Sequence, residues 1–196
     1  TRMLRKNPSF SVVAILTLAL GIGANATIFS FINALLLQPI SGVERPDQLV
    51  GIYTSDYSSG LFGGSSFPDY EDLRQQTNVF SDLAAYDSAA LNLTGAETPE
   101  RLRVSLVTTN YFKVLGVGAH LGRTLREEDD VSGAPATAVL SYAFWQRHFG
   151  GDRSVVGRSL ILASRAYTIV GIASESFRGL RFGCQPDAWV RLEESR

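Results

Sequence analysis

Residues 7–43 contain no Asp, Glu, Lys, Arg or His. An uncharged run of that length restricts the surroundings a helix can occupy. At about 1.5 Å per residue, a helix over residues 10–37 is longer than the roughly 30 Å hydrocarbon core of a bilayer. A membrane span therefore accounts for the whole run, with residues left for tilt or for a stalk beyond the lipid. Arg2, Arg5 and Lys6 precede it, and a basic flank places that end in the cytoplasm and everything after Pro39 outside. The sequence thus predicts a cytoplasmic segment over residues 1–9, a transmembrane or stalk helix over 10–38, and a folded core domain over 47–196.

Two other readings compete for "LALGIGANATIFSF", residues 18–31. Gly21, Gly23 and Ala26 fit the G-x-G-x-x-A of a dinucleotide-binding turn, with Glu44 at about the distance of a ribose-binding acid. That unit needs a second strand before the acid, and residues 40–43, which include Ser41-Gly42, leave no room for one. Alternatively, the basic start, the apolar residues 12–20 and the small pair Ala24 and Ala26 are the parts of a signal peptide. Cleavage after Ala26 would leave a mature terminus beginning "TIFSFINALLL", apolar and without charge until Glu44. The span reading needs no such terminus, although a secreted or membrane-tethered periplasmic binding module remains the alternative.

Periodicity gives the glycines a packing role. At about 100° per residue, Ala14, Thr17, Gly21, Ala24 and Asn25 share one arc of the helix, while Ile15, Leu16, Ile22 and Phe29 lie elsewhere. In lipid, a small face admits the backbone of a second helix, and an Asn or Thr on it is expected to hydrogen-bond to that neighbour. In the other reading, Asn25 bonds its own backbone and the small residues have no partner.

The whole chain is 45% hydrophobic with mixed charge, the composition of a folded protein. A net charge of -1 offers no basic field for a phosphate backbone, so nucleic acid is not an expected partner. Cys184 is the only cysteine, which excludes an internal disulfide and a cysteine-based zinc site. Short strands and helices alternate. "LVGIY" reads as a strand, and "FPDYEDLRQQ" as a helix capped by Ser66 or Phe67. "LAAYDSAALNLTG" and "ERLRVSLVT" read as strands, "TNYFKVLG" as a short helix stopped by Gly116, and "ATAVLS" as a strand. "YAFWQRHFG" reads as a helix ended by Gly150-Gly151. "RSLILASRAYTIVGIA" is a hairpin turning near residues 163–165, and "DAWVRL" a last strand. The fold class is α+β, one N-terminal transmembrane helix followed by a mixed domain.

That domain shows no catalytic, cofactor-binding or metal-binding constellation. His120 and His148 are the only histidines, and each reads as a surface or helix-end residue. "GVGAHLG" reads as a loop, because a phosphate cradle opens onto a helix and this stretch runs into "RTLREEDD". Glu127, Glu128, Asp129 and Asp130 lack the alternating spacing of a calcium loop and read as a solvated acidic turn. Phe144, Trp145 and Phe149 are expected on the core side of their helix. No serine stands in a G-x-S-x-G elbow.

The blocks "RKNPSFSVVAILTLALGIGANATIFSFINALLLQPI", "FPDYEDLRQQTNVFSDLAAY", "TTNYFKVLGV", "VLSYAFWQRHFGGDRSVVGRSLIL", "YTIVGIASESFRGL" and "PDAWVRL" closely resemble the MacB-like, FtsX-type permeases of bacterial ABC transporters. They look most like the duplicated permeases abundant in some soil bacteria. The resemblance covers nearly the whole chain, in order. It implies a first span that enters from the cytoplasm into a periplasmic core domain, in the bacterial inner membrane. ATP would be bound by a separate cytoplasmic ATPase, so this chain needs no cofactor of its own. A homodimer or a pseudo-dimer with a second permease half, and in some systems a periplasmic adaptor, are the implied partners. The returning half of that core and the remaining spans of such a permease have no counterpart in residues 1–196, so the resemblance implies a core incomplete at its C-terminus.

Overall fold

The computed structural model describes residues 8–36, 40–56, 60–76, 78–94, 100–131, 133–181 and 183–192. The chain divides into two units, Thr1–Pro39 and Ile40–Arg196. The basic flank of Arg2, Arg5 and Lys6 lies outside the described residues.

The described residues of the first unit form one helix, α1 (Pro8–Leu36, 29 residues). Pro8 stands at its start, where the missing N–H costs nothing. The stretch Ser11–Asn33 has a mean hydropathy of 2.1, long and apolar enough to cross a membrane. Its large apolar side chains are exposed on all sides, from Leu20 at 78% to Ile32 at 44%. A helix apolar all round requires an apolar surrounding. Hydrocarbon supplies one, and there every backbone bond is met within the helix. Thr17 and Thr27 close their hydroxyls the same way, donating to the carbonyls of Val13 at 2.9 Å and Gly23 at 2.7 Å.

The second unit begins with a small hairpin, β1 (Thr54–Asp56) and β2 (Gly60–Gly63), followed by α2 (Phe67–Gln76). Ser66 caps α2: its hydroxyl donates to Asp69 at 2.6 Å and accepts from the Asp69 N–H, and the Asp69 carboxylate accepts from the Ser66 N–H. Of the two cap residues offered by the sequence, Ser66 and Phe67, it is Ser66 that makes this reciprocal box. Then follow β3 (Tyr86–Thr94), β4 (Glu100–Val107), α3 (Tyr111–Leu115), β5 (Ala119–Gly122), β6 (Thr137–Leu140), α4 (Tyr142–Phe149), β7 (Ser159–Leu162), β8 (Arg165–Ala173) and β9 (Ala188–Arg191).

The strands lie in the order β5-β8-β6-β9-β4-β3-β7, and β7 also pairs with β8, closing the ladders into a circuit. Two pairs are parallel, β4 with β9 and β6 with β8. Parallel neighbours need crossover connections, and α3 and α4 lie within them. Alternation along the strands builds a core on each face. Ala188 and Val190 of β9 join Leu102, Val104, Leu140, Ile169 and Ile172 beneath α4, whose Phe144 and Trp145 are buried. Trp189 faces the other way, with Val139, Ala173, Phe177 and the Tyr111, Phe112 and Leu115 of α3.

Most of the expected elements are present. Ser141 caps α4 by accepting from the Phe144 N–H at 3.2 Å, and Gly150 ends the helix at φ 59°. The β7–β8 turn is made by Ala163 and Ser164, both in left-handed backbone, as a two-residue hairpin requires. Two expectations fail. Residues 49–53 are not a strand, since pairing begins only at Thr54; Val50 and Tyr53 are exposed, so this apolar run lacks the covered face that a strand needs. "GVGAHLG" is not all loop, since its second half is β5 on the edge of β8.

Gly171 explains how β5 reaches that edge. A Cβ there would lie 2.2 Å from the Arg123 carbonyl oxygen and 2.7 Å from that of Leu121. Gly171→Ala is expected to lift β5 from the sheet, at a cost of about 1–3 kcal/mol. Amide exchange at residues 119–122 should accelerate while β9 stays protected; unchanged exchange at β5 would refute the close approach.

Candidate functional site

The helix face singled out in the sequence, Ala14, Thr17, Gly21, Ala24 and Asn25, lies on the unbroken helix α1. Space is open at its centre, since a Cβ on Gly21 would meet nothing within 4 Å. Thr17 already gives its proton to the Val13 carbonyl, so a neighbouring helix could use only its oxygen as an acceptor.

The two histidines take part in packing. His120, on β5, sits against Tyr142 and Trp145 of α4, with ring centroids 4.9 and 5.6 Å away. His148, in the last turn of α4, stacks on Phe144 at 5.0 Å and pairs with Glu100 at 3.4 Å. Among the described residues, no three His, Cys, Asp or Glu side chains gather as a metal site. The aromatic residues of α4 lie on its core side, as expected.

The acidic run departs from its solvated reading. Residues Glu127–Asp130 form a single 3-10 turn, and Asp129 is buried. Its carboxylate accepts both arms of the Arg123 guanidinium at 2.7 Å and the Arg126 N–H at 2.8 Å. Burial opposes ionisation, but the Arg123 guanidinium and the Arg126 N–H outweigh it and hold the carboxyl below its ordinary value. A depressed carboxyl contributes stability above its unfolded pKa, about 3.9, and that contribution is lost as pH falls through the lower folded value. Acidification from pH 7 to 3 is therefore expected to lower the urea midpoint more in the wild type than in Asp129→Asn. Equal losses in the two proteins would show that the pair has no such role.

A second charged cluster was invisible in the sequence. Asp187, just before β9, is buried and accepts from the Arg103 N–H at 2.9 Å and from the Arg147 side chain at 3.0 Å. Its own N–H donates to the Arg103 carbonyl at 2.7 Å, and its carbonyl receives the Ser141 N–H at 2.9 Å. Arg147 reaches on to Glu100 at 3.6 Å. One aspartate thus ties β4, β9 and the start of α4 together.

The larger described cavity is an open groove of about 520 Å³ beside α3, lined by Thr109, Asn110, Lys113, Arg126 and Glu127 among others. Lys113 and Glu127 on its walls pair with each other at 3.6 Å. No nucleophile stands beside a base there, so the groove gives no chemical handle.

The organisation of the molecule is therefore one exposed apolar helix joined to a two-cored α+β domain held by internal ion pairs. The family model described as "MacB-like periplasmic core domain" matches residues 11–196. The chain belongs to that family. The match begins within α1 and runs to residue 196. The fold agrees with solved relatives. The periplasmic region of MacB from Actinobacillus actinomycetemcomitans superposes with a TM-score of 0.51 at 16% identity, covering 71% of this chain and 56% of that one. The extracellular domain of the noncanonic ABC-type transporter YknZ from Gram-positive bacteria gives 0.53 at 16% identity, covering 65% and 62%. The chain thus spans less than two thirds of either solved domain. No curated protein sequence matches it. The MacB-like core is a domain of ABC transporter permeases, and in this chain it follows an N-terminal helix long and apolar enough to cross a membrane.

Proposed function

We propose that this chain supplies the first membrane span and the extracytoplasmic core of an ABC-type permease that works in export or mechanotransmission. One observation carries the reading: the family match starts at Ser11, inside the apolar helix, and continues to residue 196. On this reading the helix is retained as a span. The basic Arg2, Arg5 and Lys6 put its start in the cytoplasm and the core in the periplasm. ATP is bound by a separate ATPase, whose closure moves the span and, with it, the core. The face of Ala14, Thr17, Gly21, Ala24 and Asn25 packs against another helix of the same permease or of a second copy, and Asn25 supplies the interhelical hydrogen bond.

Purification of the full-length protein from its native membrane is the test. It should bring down an ABC ATPase in fixed stoichiometry and show vanadate-sensitive ATP hydrolysis in nanodiscs. A protein that purifies alone, begins at Thr27 and leaves hydrolysis absent is a secreted module, and the proposal fails.

A further inference from the structure

Arg123, Arg147, Arg158 and Arg191 of the core domain each sit on a carboxylate, at 2.7 to 3.3 Å. Arg101, Arg103 and Arg181 differ. Arg101 and Arg103 alternate along β4 with the buried Leu102 and Val104, so both stand exposed on the opposite face of the sheet. Register sets the exposed Ala90 of β3 beside Arg103, the exposed Asn92 beside Arg101, and Ser88 beside Ser105. Arg181 reaches that last row from the segment after β8, its guanidinium donating to the Ser88 hydroxyl, while Phe177 of the same segment covers Trp189 on β9. The cover ends there, and Ala90 and Asn92 stay open.

Same-face residues of a strand recur at roughly 7 Å, so Arg181, Arg103 and Arg101 form a ladder of cations along one direction. Among the described residues, Arg101 and Arg181 have no carboxylate partner. Arg103 comes within only 4.0 Å of Asp187, whose carboxylate is already held by Arg147 and by the Arg103 N–H. The acids of these two strands alternate to the other face, where Glu100 meets Arg147 and His148. Acids outnumber bases over residues 40–196, so the ladder is a local field of the opposite sign to the domain that carries it.

We propose that this face of β3 and β4 docks an extended acidic segment of a partner protein. A guanidinium is built to take a carboxylate in two parallel hydrogen bonds. An extended chain repeats its own same-face side chains at roughly 7 Å, so carboxylates at every second residue meet the three rungs in register. An open sheet face does not enclose a small molecule, which takes a concave site, and none of these residues lines either described groove.

The test is the fluorescence anisotropy of a labelled peptide of alternating Thr and Glu, added to the full-length protein in phosphatidylcholine nanodiscs at low salt. It should bind, while a peptide of alternating Thr and Gln should not, and a peptide of the same composition with its glutamates in one block should bind about threefold more weakly. Arg101→Gln with Arg103→Gln, and separately Arg181→Gln, should each weaken the alternating peptide by about tenfold. Arg153→Gln, on the exposed turn after α4, should leave binding unchanged. Arg103 lies beside Asp187, so urea midpoints check the fold; if the double variant does not fold, Arg181→Gln decides, because its bond to Ser88 lies on the surface. An alternating peptide that does not bind, a block peptide that binds as well, or an equal loss in Arg153→Gln overturns the proposal. Vesicles containing phosphatidylglycerol that bind through these arginines while the peptide does not would place a lipid surface there and overturn it too.

Discussion

Trp189→Ala is expected to destabilise the core domain by about 3–5 kcal/mol, the range for emptying a buried aromatic site. Trp189 is fully buried on β9, which lies between β6 and β4. It stacks on Phe177 at 5.3 Å and meets Phe112 edge-on at 5.6 Å. Both neighbours are themselves buried, so neither can collapse into the space without leaving its own contacts. For a domain of this length, the melting temperature should fall by roughly 10 °C. Thermal unfolding followed by circular dichroism measures it, and Trp189→Phe should recover most of the loss. The protein has two tryptophans, so in the alanine variant Trp145 alone reports whether the α4 side is intact. A loss under about 1 kcal/mol would mean that the second core does not hold the sheet as described.

Asp187→Ala is expected to cost about 3 kcal/mol, the lower end for removing one partner of a buried ion pair. The lower end applies because Arg147 and Arg103 are 55% and 60% exposed at their side chains and can return to water. What cannot be re-solvated readily is the Arg103 N–H, which would lose its acceptor between β4 and β9. Asp187→Asn keeps an oxygen for that N–H and should lose only about 1 kcal/mol. Urea midpoints of the two variants separate the charge from the hydrogen bond. Equal losses would place the effect in the pairing with Arg147.

What was legible in the sequence followed from local rules. The helix α4 could be read because its aromatic spacing and its terminal Gly150 stand close together in sequence, whereas its cap Ser141 emerged only in the fold. The β7–β8 hairpin and the Ser66 box of α2 were readable for the same reason. β5 was not: its four residues owe their pairing to a glycine far along the chain, Gly171. The Asp187 network escaped because Arg103 lies 84 residues away, and nothing local marks an aspartate that will be buried. Asp129 was misread for a different reason, since four acids in a row look solvated until Arg123 is seen to reach back to one of them. The small face of α1 follows from helical periodicity alone. The packing of residues 40–49 on the core depends on two glycines 74 positions apart, Gly42 and Gly116, whose contacts no pattern announces.

The central claim is that α1 crosses the membrane with its N-terminus inside and delivers the MacB-like core to the outside. Reporter fusions after Pro46 test it most directly. The account predicts an active periplasmic alkaline phosphatase and a silent β-galactosidase at that position, in a membrane-bound product that still begins upstream of Ser11. Active β-galactosidase with silent phosphatase would contradict it.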